Sequence, residues 1–150
     1  MAIGMTESAA ANPSAEEHGK PLILMGYWLG PYAPGWPDPR NFVDPSWDVD
    51  ERTQIVNYLE RGMAVRYYMG ESECRFCGQF VGSGEYSDGT VVWPEGLAHY
   101  VAEHAVRLPA AFVDHARRAT EALENRPVDQ TWWEQQVGII ESTDEPTSAS

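Results

Sequence analysis

Apolar and polar positions follow two different periods along the chain, and the changes of period mark the elements. Ile55, Val56 and Leu59 fall on one helical face. Asp48 stands three residues ahead of Glu51, the spacing of a capping box, and Gly62 is placed to end the helix they open. The run from Met63 to Met69 is rich in β-branched and aromatic residues, which predicts a strand. Asp88-Gly89 lies between two strand-like runs within Glu85 to Trp93 and predicts a hairpin, because both turn residues tolerate positive φ. Pro94 suits the first position of a helix, where its missing N–H costs nothing, and that helix continues through Leu97, Tyr100 and Val101. Pro109 opens the next, with Phe112, Ala116 and Leu123 inward and Arg117 and Arg118 outward. Thr131-Trp-Trp-Glu134 repeats the capping-box spacing and predicts a short last helix before Gly138.

Other stretches carry no such period. Residues 1–20 are small and polar, and residues 141–150 read the same way; both are expected to be disordered. Leu22 to Leu29 is a short strand or an extended segment. The Pro- and Gly-rich run from Gly30 to Pro39 can be neither helix nor central strand, and predicts a long loop carrying aromatics. Residues 21–140 are then a single α+β domain. No repeat is visible.

Charge narrows the choice of partner. Residues 1–60 carry nine acids and three bases (−6), residues 61–118 seven and six (−1), and residues 119–150 seven and one (−6), which sum to the net −13. A sequence-independent nucleic-acid binder needs a basic surface, so this balance argues against one, and it argues equally against an anionic membrane. Acidic flanks favour a basic protein partner, or they serve only to keep the protein soluble. No apolar run approaches the length of a membrane span, and the N-terminus lacks a secretory signal. A cytoplasmic protein is expected.

The only two cysteines form Cys74-Arg-Phe-Cys77-Gly78, either a metal knuckle or a redox dithiol. Redox dithiols of the thioredoxin kind begin a helix, whereas Gly78, Gly82 and Gly84 follow here. The glycine after Cys77 permits a tight turn through which backbone N–H groups reach the thiolates. Downstream, His99 and His104 complete C-x2-C, twenty-one intervening residues, and H-x4-H. Two thiolates and two imidazoles satisfy the tetrahedral preference of Zn2+. Residues five apart on a regular helix diverge by about 140°, so both histidines reach one ion only if the helix loosens at His104. His115 is the reserve ligand. The expected fold is therefore a small zinc-stabilised α+β domain: knuckle, β-hairpin and α-helix, with additional helices and a Pro-rich N-terminal loop.

Knuckle, hairpin and ligand-bearing helix, in that order, resemble a treble-clef zinc motif. Residues 71–113 also look like small uncharacterised bacterial proteins with a CRxCG…WPEGLAHYV…H motif, a likeness that extends to about residues 35–115. It implies a fold unit and no activity. Treble clefs place their helix ligands in the first turn, and a helix opened by Pro94 would carry His99 one turn later.

Four good donors close a zinc site, whereas catalytic zinc keeps a position open for water. The histidines fit neither H-E-x-x-H nor H-x-x-E-H, and they follow the cysteines, unlike the deaminase order. Were only one histidine to bind, Glu95 or Glu103 would serve an activated water, which is the alternative of a zinc hydrolase. Among the aromatics, Trp28, Tyr32, Trp36 and Trp47 either cover the zinc unit or form a sticky surface. Adjacent helical residues diverge by about 100°, so one of Trp132 and Trp133 is expected to be an exposed anchor. The expectation is a non-enzymatic protein acting through protein–protein binding at Trp36, Trp132 and Trp133. One specific form of it is an immunity or inhibitor protein for a basic partner.

Overall fold

A computed structural model describes residues 19–144. Most of the first disordered segment expected from the sequence, and residues 145–150, lie outside the described residues. The chain divides into two compact units, one ending at Val113 and the other beginning at Asp114.

In the first unit a mixed four-stranded sheet runs in the order β1-β4-β3-β2. Strand β1 is only Ile23–Leu24 and pairs parallel with β4, Val91–Pro94. The antiparallel pair β2 (Met63–Glu73) and β3 (Phe80–Ser87) forms the rest, with β3 against β4 across the Asp88-Gly89 turn. Asp88 holds that turn by accepting from the N–H groups of Thr90 and Val91. Strand β2 extends four residues beyond the run the sequence marked, so the cysteine knuckle lies at the tip of a long β2–β3 hairpin.

Helix α1, Val49–Glu60, begins as its spacing predicted: the Asp48 carboxylate accepts from the Glu51 N–H at 2.9 Å. The Glu51 carboxylate takes the indole N–H of Trp47 at 2.6 Å. Gly62 follows the helix for a different reason from the one expected. Its φ is not positive, and a Cβ there would stand 2.7 Å from the Trp93 ring. Close approach, and not left-handed backbone, requires glycine at that position.

Pro94 ends β4 and does not open a helix. Gly96 precedes α2, Leu97–His104, three residues later than expected. Ile55 and Leu59 of α1, Trp93 of β4, Leu97 and Val101 of α2, and Trp47 are all buried and form the core between helices and sheet. Phe112 closes it, edge-on to Tyr58 and Trp93.

Helix α3, Ala110–Glu124, buries Phe112 and Ala116 as expected, but Leu123 is exposed: the buried stripe stops at Ala116. In the second unit, helix α4 spans Thr131–Asp144 and passes straight through Gly138. A glycine weakens a helix by about 1 kcal/mol relative to alanine but stops it only where φ turns positive, and here it does not. Residues 141–144 of the expected tail are thus the last turn of α4. Trp132 and Trp133 are both exposed, where helical geometry required it of at least one, and no residue from 131 to 138 is buried.

Candidate metal centre

The hairpin tip and the end of α2 bring four side chains together. Cys74 follows the last residue of β2, and its own N–H donates to the Gln79 carbonyl at 2.8 Å, which closes the tip. Gly78 turns the chain with φ +73, a left-handed conformation that favours glycine, and its N–H donates to the Cys74 carbonyl. Within this turn the Phe76 N–H donates to Cys74 Sγ at 3.3 Å, the contact expected when Gly78 lets backbone amides face the thiolates.

On the other side, Ala105 adopts φ 53 and ends α2 directly after His104. That end is fixed from outside. The N–H of Asp44 donates to the Ala105 carbonyl, Val43 bridges Val106, and Arg52 donates to the Val101 and Ala102 carbonyls at 2.9 and 2.6 Å. A guanidinium on the last carbonyls of a helix satisfies groups that have no partner within it. The loosening required by the H-x4-H spacing is therefore a helix terminus. The late start of α2 also places His99 in its first turn.

The ligand atoms of Cys74, Cys77, His99 and His104 all lie within 4.8 Å of one another, close enough to bind a metal ion. Cys77 Sγ and His99 Nε2 are 3.5 Å apart. Zn–S and Zn–N bonds of about 2.3 and 2.0 Å at the tetrahedral angle give an S···N edge of about 3.5 Å and an S···S edge of about 3.8 Å. The Cys77–His99 edge already has this length. Both cysteines are free thiols, Cys74 buried and Cys77 exposed. The ring of His104 stacks on Phe76 at 4.5 Å, and its Nε2 is buried without a hydrogen-bond partner among the described residues. A metal ion would satisfy such an orphaned nitrogen. Burial, and then the charge of His99, lower the pKa of His104 against the opposing effect of Glu103, a shift that favours the neutral form that ligates.

His115, the reserve ligand, is not in the cluster. Nor are Glu95 and Glu103. The Glu95 carboxylate accepts from the N–H groups of Ser83 and Gly84, both at 3.1 Å, and packs on Gly82, where a Cβ would collide with it. It clasps the start of α2 to β3. A hollow of about 410 Å³ opens beside His99, with Glu60, Glu95 and Glu103 in its lining.

Sequence reasoning missed the groups that brace the knuckle. Tyr100 accepts a hydrogen bond from the Arg75 N–H at 2.9 Å, and Cys74, Tyr100 and Val106 form a buried cluster covered by Trp28, Phe76 and Val81. From the Pro-rich segment, Arg40 lies over the Phe76 ring and donates to the Arg75 carbonyl, while Arg75 Nε donates to the Leu29 carbonyl. The aromatic loop is pinned on the knuckle by arginines whose partners are backbone carbonyls, a contact with no sequence signature. Trp47 is buried and Trp28 half-buried, whereas Tyr32 and Trp36 are exposed.

Neither a family model, nor a curated protein, nor a solved structure matches this chain. The site's own chemistry therefore carries the functional reading. No helix among the described residues is long and apolar enough to cross a membrane.

Proposed function

We propose that this chain is a zinc-stabilised, non-enzymatic protein that works by binding another protein, and that the partner is basic. The carrying observation is the four-donor cluster: two sulfur and two nitrogen ligands suit Zn2+ above other common ions, and four protein donors leave no position for a reacting water. A treble-clef-like arrangement is supported by the order of knuckle, hairpin and helix, and by His99 lying in the first turn of α2. The acidic flanks would steer a basic partner, an immunity or inhibitor protein bound to a basic toxin being one form of this. Exposed Trp36, Trp132 and Trp133 would supply anchors. Nucleic acid is disfavoured further because Arg107 pairs with Asp44, and Arg117 and Arg118 both pair with Asp114.

A second reading, a zinc hydrolase, draws on the hollow beside His99 and requires one donor to leave the ion. Elemental analysis and cobalt substitution test both. The expected result is one zinc per chain and a tetrahedral S2N2 cobalt spectrum insensitive to small anions. Metal-free protein with a Cys74–Cys77 disulfide would refute the zinc assignment, and an anion-sensitive spectrum would favour the hydrolase.

A further inference from the structure

Apart from the metal cluster, the first unit holds a cleft of about 520 Å³, within the range of about 300–1,000 Å³ typical of ligand sites. Tyr27, Trp28, Trp36, Tyr68 and Tyr100 all line it. The rings of Tyr27 and Trp36 stand 6.4 Å apart and tilted by 36°, so they splay and do not cover one another's faces. Trp36 and Tyr68 are exposed, while Tyr27 and Trp28 are half-buried.

The charge around the cleft is acidic. Glu71, Glu85 and Glu95 line it, against Arg75 in the lining and Arg66 behind Glu85, a balance of 2 − 3 = −1. Most of these charges are engaged. Glu85 is buried and takes Arg66 at 3.0 Å and the Tyr27 hydroxyl; Glu95 takes two backbone N–H groups; Arg75 donates to the carbonyls of Leu29 and Glu73. Glu71 is exposed and has no hydrogen-bond or ion-pair partner among the described residues. It is the acid available to a ligand. An anion would meet repulsion here, and a neutral apolar group would leave Glu71 unused. A cation gains from both the ring faces and the carboxylate.

Tyr68, Gly70, Glu71 and Ser72 belong both to the cleft and to β2, and β2 is the edge of the sheet. A sheet edge offers backbone donors and acceptors to an extended segment, while pockets beside it select side chains. We propose that the cleft receives the ammonium group of a lysine from an extended basic segment of the partner protein, with Trp36 and Tyr68 facing the cation and Glu71 pairing with it. This rests on the basic-partner reading above and adds the place and chemistry of recognition.

Fluorescence anisotropy with a labelled peptide of alternating glycine and lysine, at about 50 mM salt to limit screening, tests it. The acetyl-lysine version of the peptide serves as control. The lysine peptide should bind and the acetylated one should not, and tetramethylammonium chloride should compete better than sodium chloride at equal ionic strength. Trp36→Ala and Glu71→Gln, with folding checked by circular dichroism, should each weaken binding by about 2- to 30-fold, the range for a cation on an aromatic face. Trp132→Ala should not. Trp36→Phe, which keeps a ring, should retain most of the affinity and serves if the alanine variant fails to fold. Equal binding of the acetylated peptide would overturn the proposal. Wild-type affinity in both Trp36→Ala and Glu71→Gln would overturn the cleft while leaving salt-sensitive binding of a basic partner intact. No binding of the lysine peptide at about 1 mM, a free energy near −4 kcal/mol, would sink both readings.

Discussion

Replacing Cys74 by serine should uncouple the first unit's stability from zinc. Cys74 is only 3% exposed, receives the Phe76 N–H on its sulfur, and stands at the closing pair of the hairpin tip. A serine hydroxyl keeps that hydrogen-bonding capacity but does not replace a thiolate ligand, so the variant isolates the metal from the turn. The magnitude follows from linkage. An ion that binds only the folded state adds about 4 kcal/mol when its free concentration is about 1,000 times Kd. For a unit of this size each kcal/mol moves Tm by about 4–8 °C, so zinc should raise the wild-type Tm by about 15–30 °C over chelated protein. The assay is thermal unfolding followed by circular dichroism, with free zinc held by a metal buffer and compared with excess chelator. Cys74→Ser should melt at one temperature under both conditions. His115→Ala, outside the cluster, should keep the full zinc-dependent shift. A wild-type protein whose Tm ignores zinc, or a Cys74→Ser variant that keeps the shift, would refute the structural role of the ion.

Further outcomes follow from individual contacts. Arg52→Met should cost about 2–3 kcal/mol in urea unfolding and weaken zinc affinity, because it removes two charge-assisted bonds to the carbonyls that end α2. Glu95→Ala should destabilise by about 1–3 kcal/mol by leaving the Ser83 and Gly84 N–H groups without their acceptor, whereas Glu95→Gln, which keeps a carbonyl oxygen, should be close to wild type; a hydrolase would instead lose turnover in the glutamine variant. The Ser46 hydroxyl, then Arg107, hold the Asp44 carboxyl below its ordinary range. Its contribution is therefore complete above about pH 4 and lost as pH falls through the lower folded value, so Asp44→Asn should flatten the acid side of the stability profile in that window.

The grouping of Cys74, Cys77, His99 and His104 was legible in the sequence because it depends on residue type and order. Two cysteines at C-x2-C and two histidines within a helix-forming run leave few other arrangements for a four-donor site. The α1 cap and the β3–β4 turn were legible for a similar reason: Asp48 and Asp88 each act on backbone within three residues. What failed depended on distant partners. Pro94 has the chemistry of a helix start, yet pairing of Glu85 with Pro94 keeps it in the sheet. Gly62 looked like a helix stop, but its constraint is the Trp93 ring thirty-one residues away. The arginines at 40, 52 and 75 bond to backbone carbonyls, and a carbonyl is present at every position of any sequence.

Arg75 links the two proposed sites, and this gives the last prediction. It stands between Cys74 and Cys77, its N–H donates to Tyr100, its side chain holds the Leu29 carbonyl, and it lines the aromatic cleft. Arg40 adds a second tie from the same loop to the knuckle backbone. A metal that fixes the knuckle therefore fixes the segment carrying Tyr27, Trp28 and Trp36. Releasing the ion would free the Cys74–Cys77 turn, and the bonds Arg75 makes in both directions would no longer share one geometry. Bonds to a charged group contribute about 1.5–3 kcal/mol each, so losing the order of even one should weaken binding of the lysine peptide by about tenfold or more. The comparison is peptide affinity of zinc-loaded and chelated protein at a temperature where circular dichroism still reports folded helices. Equal affinity in the two states would separate the sites and leave the metal a role in stability alone.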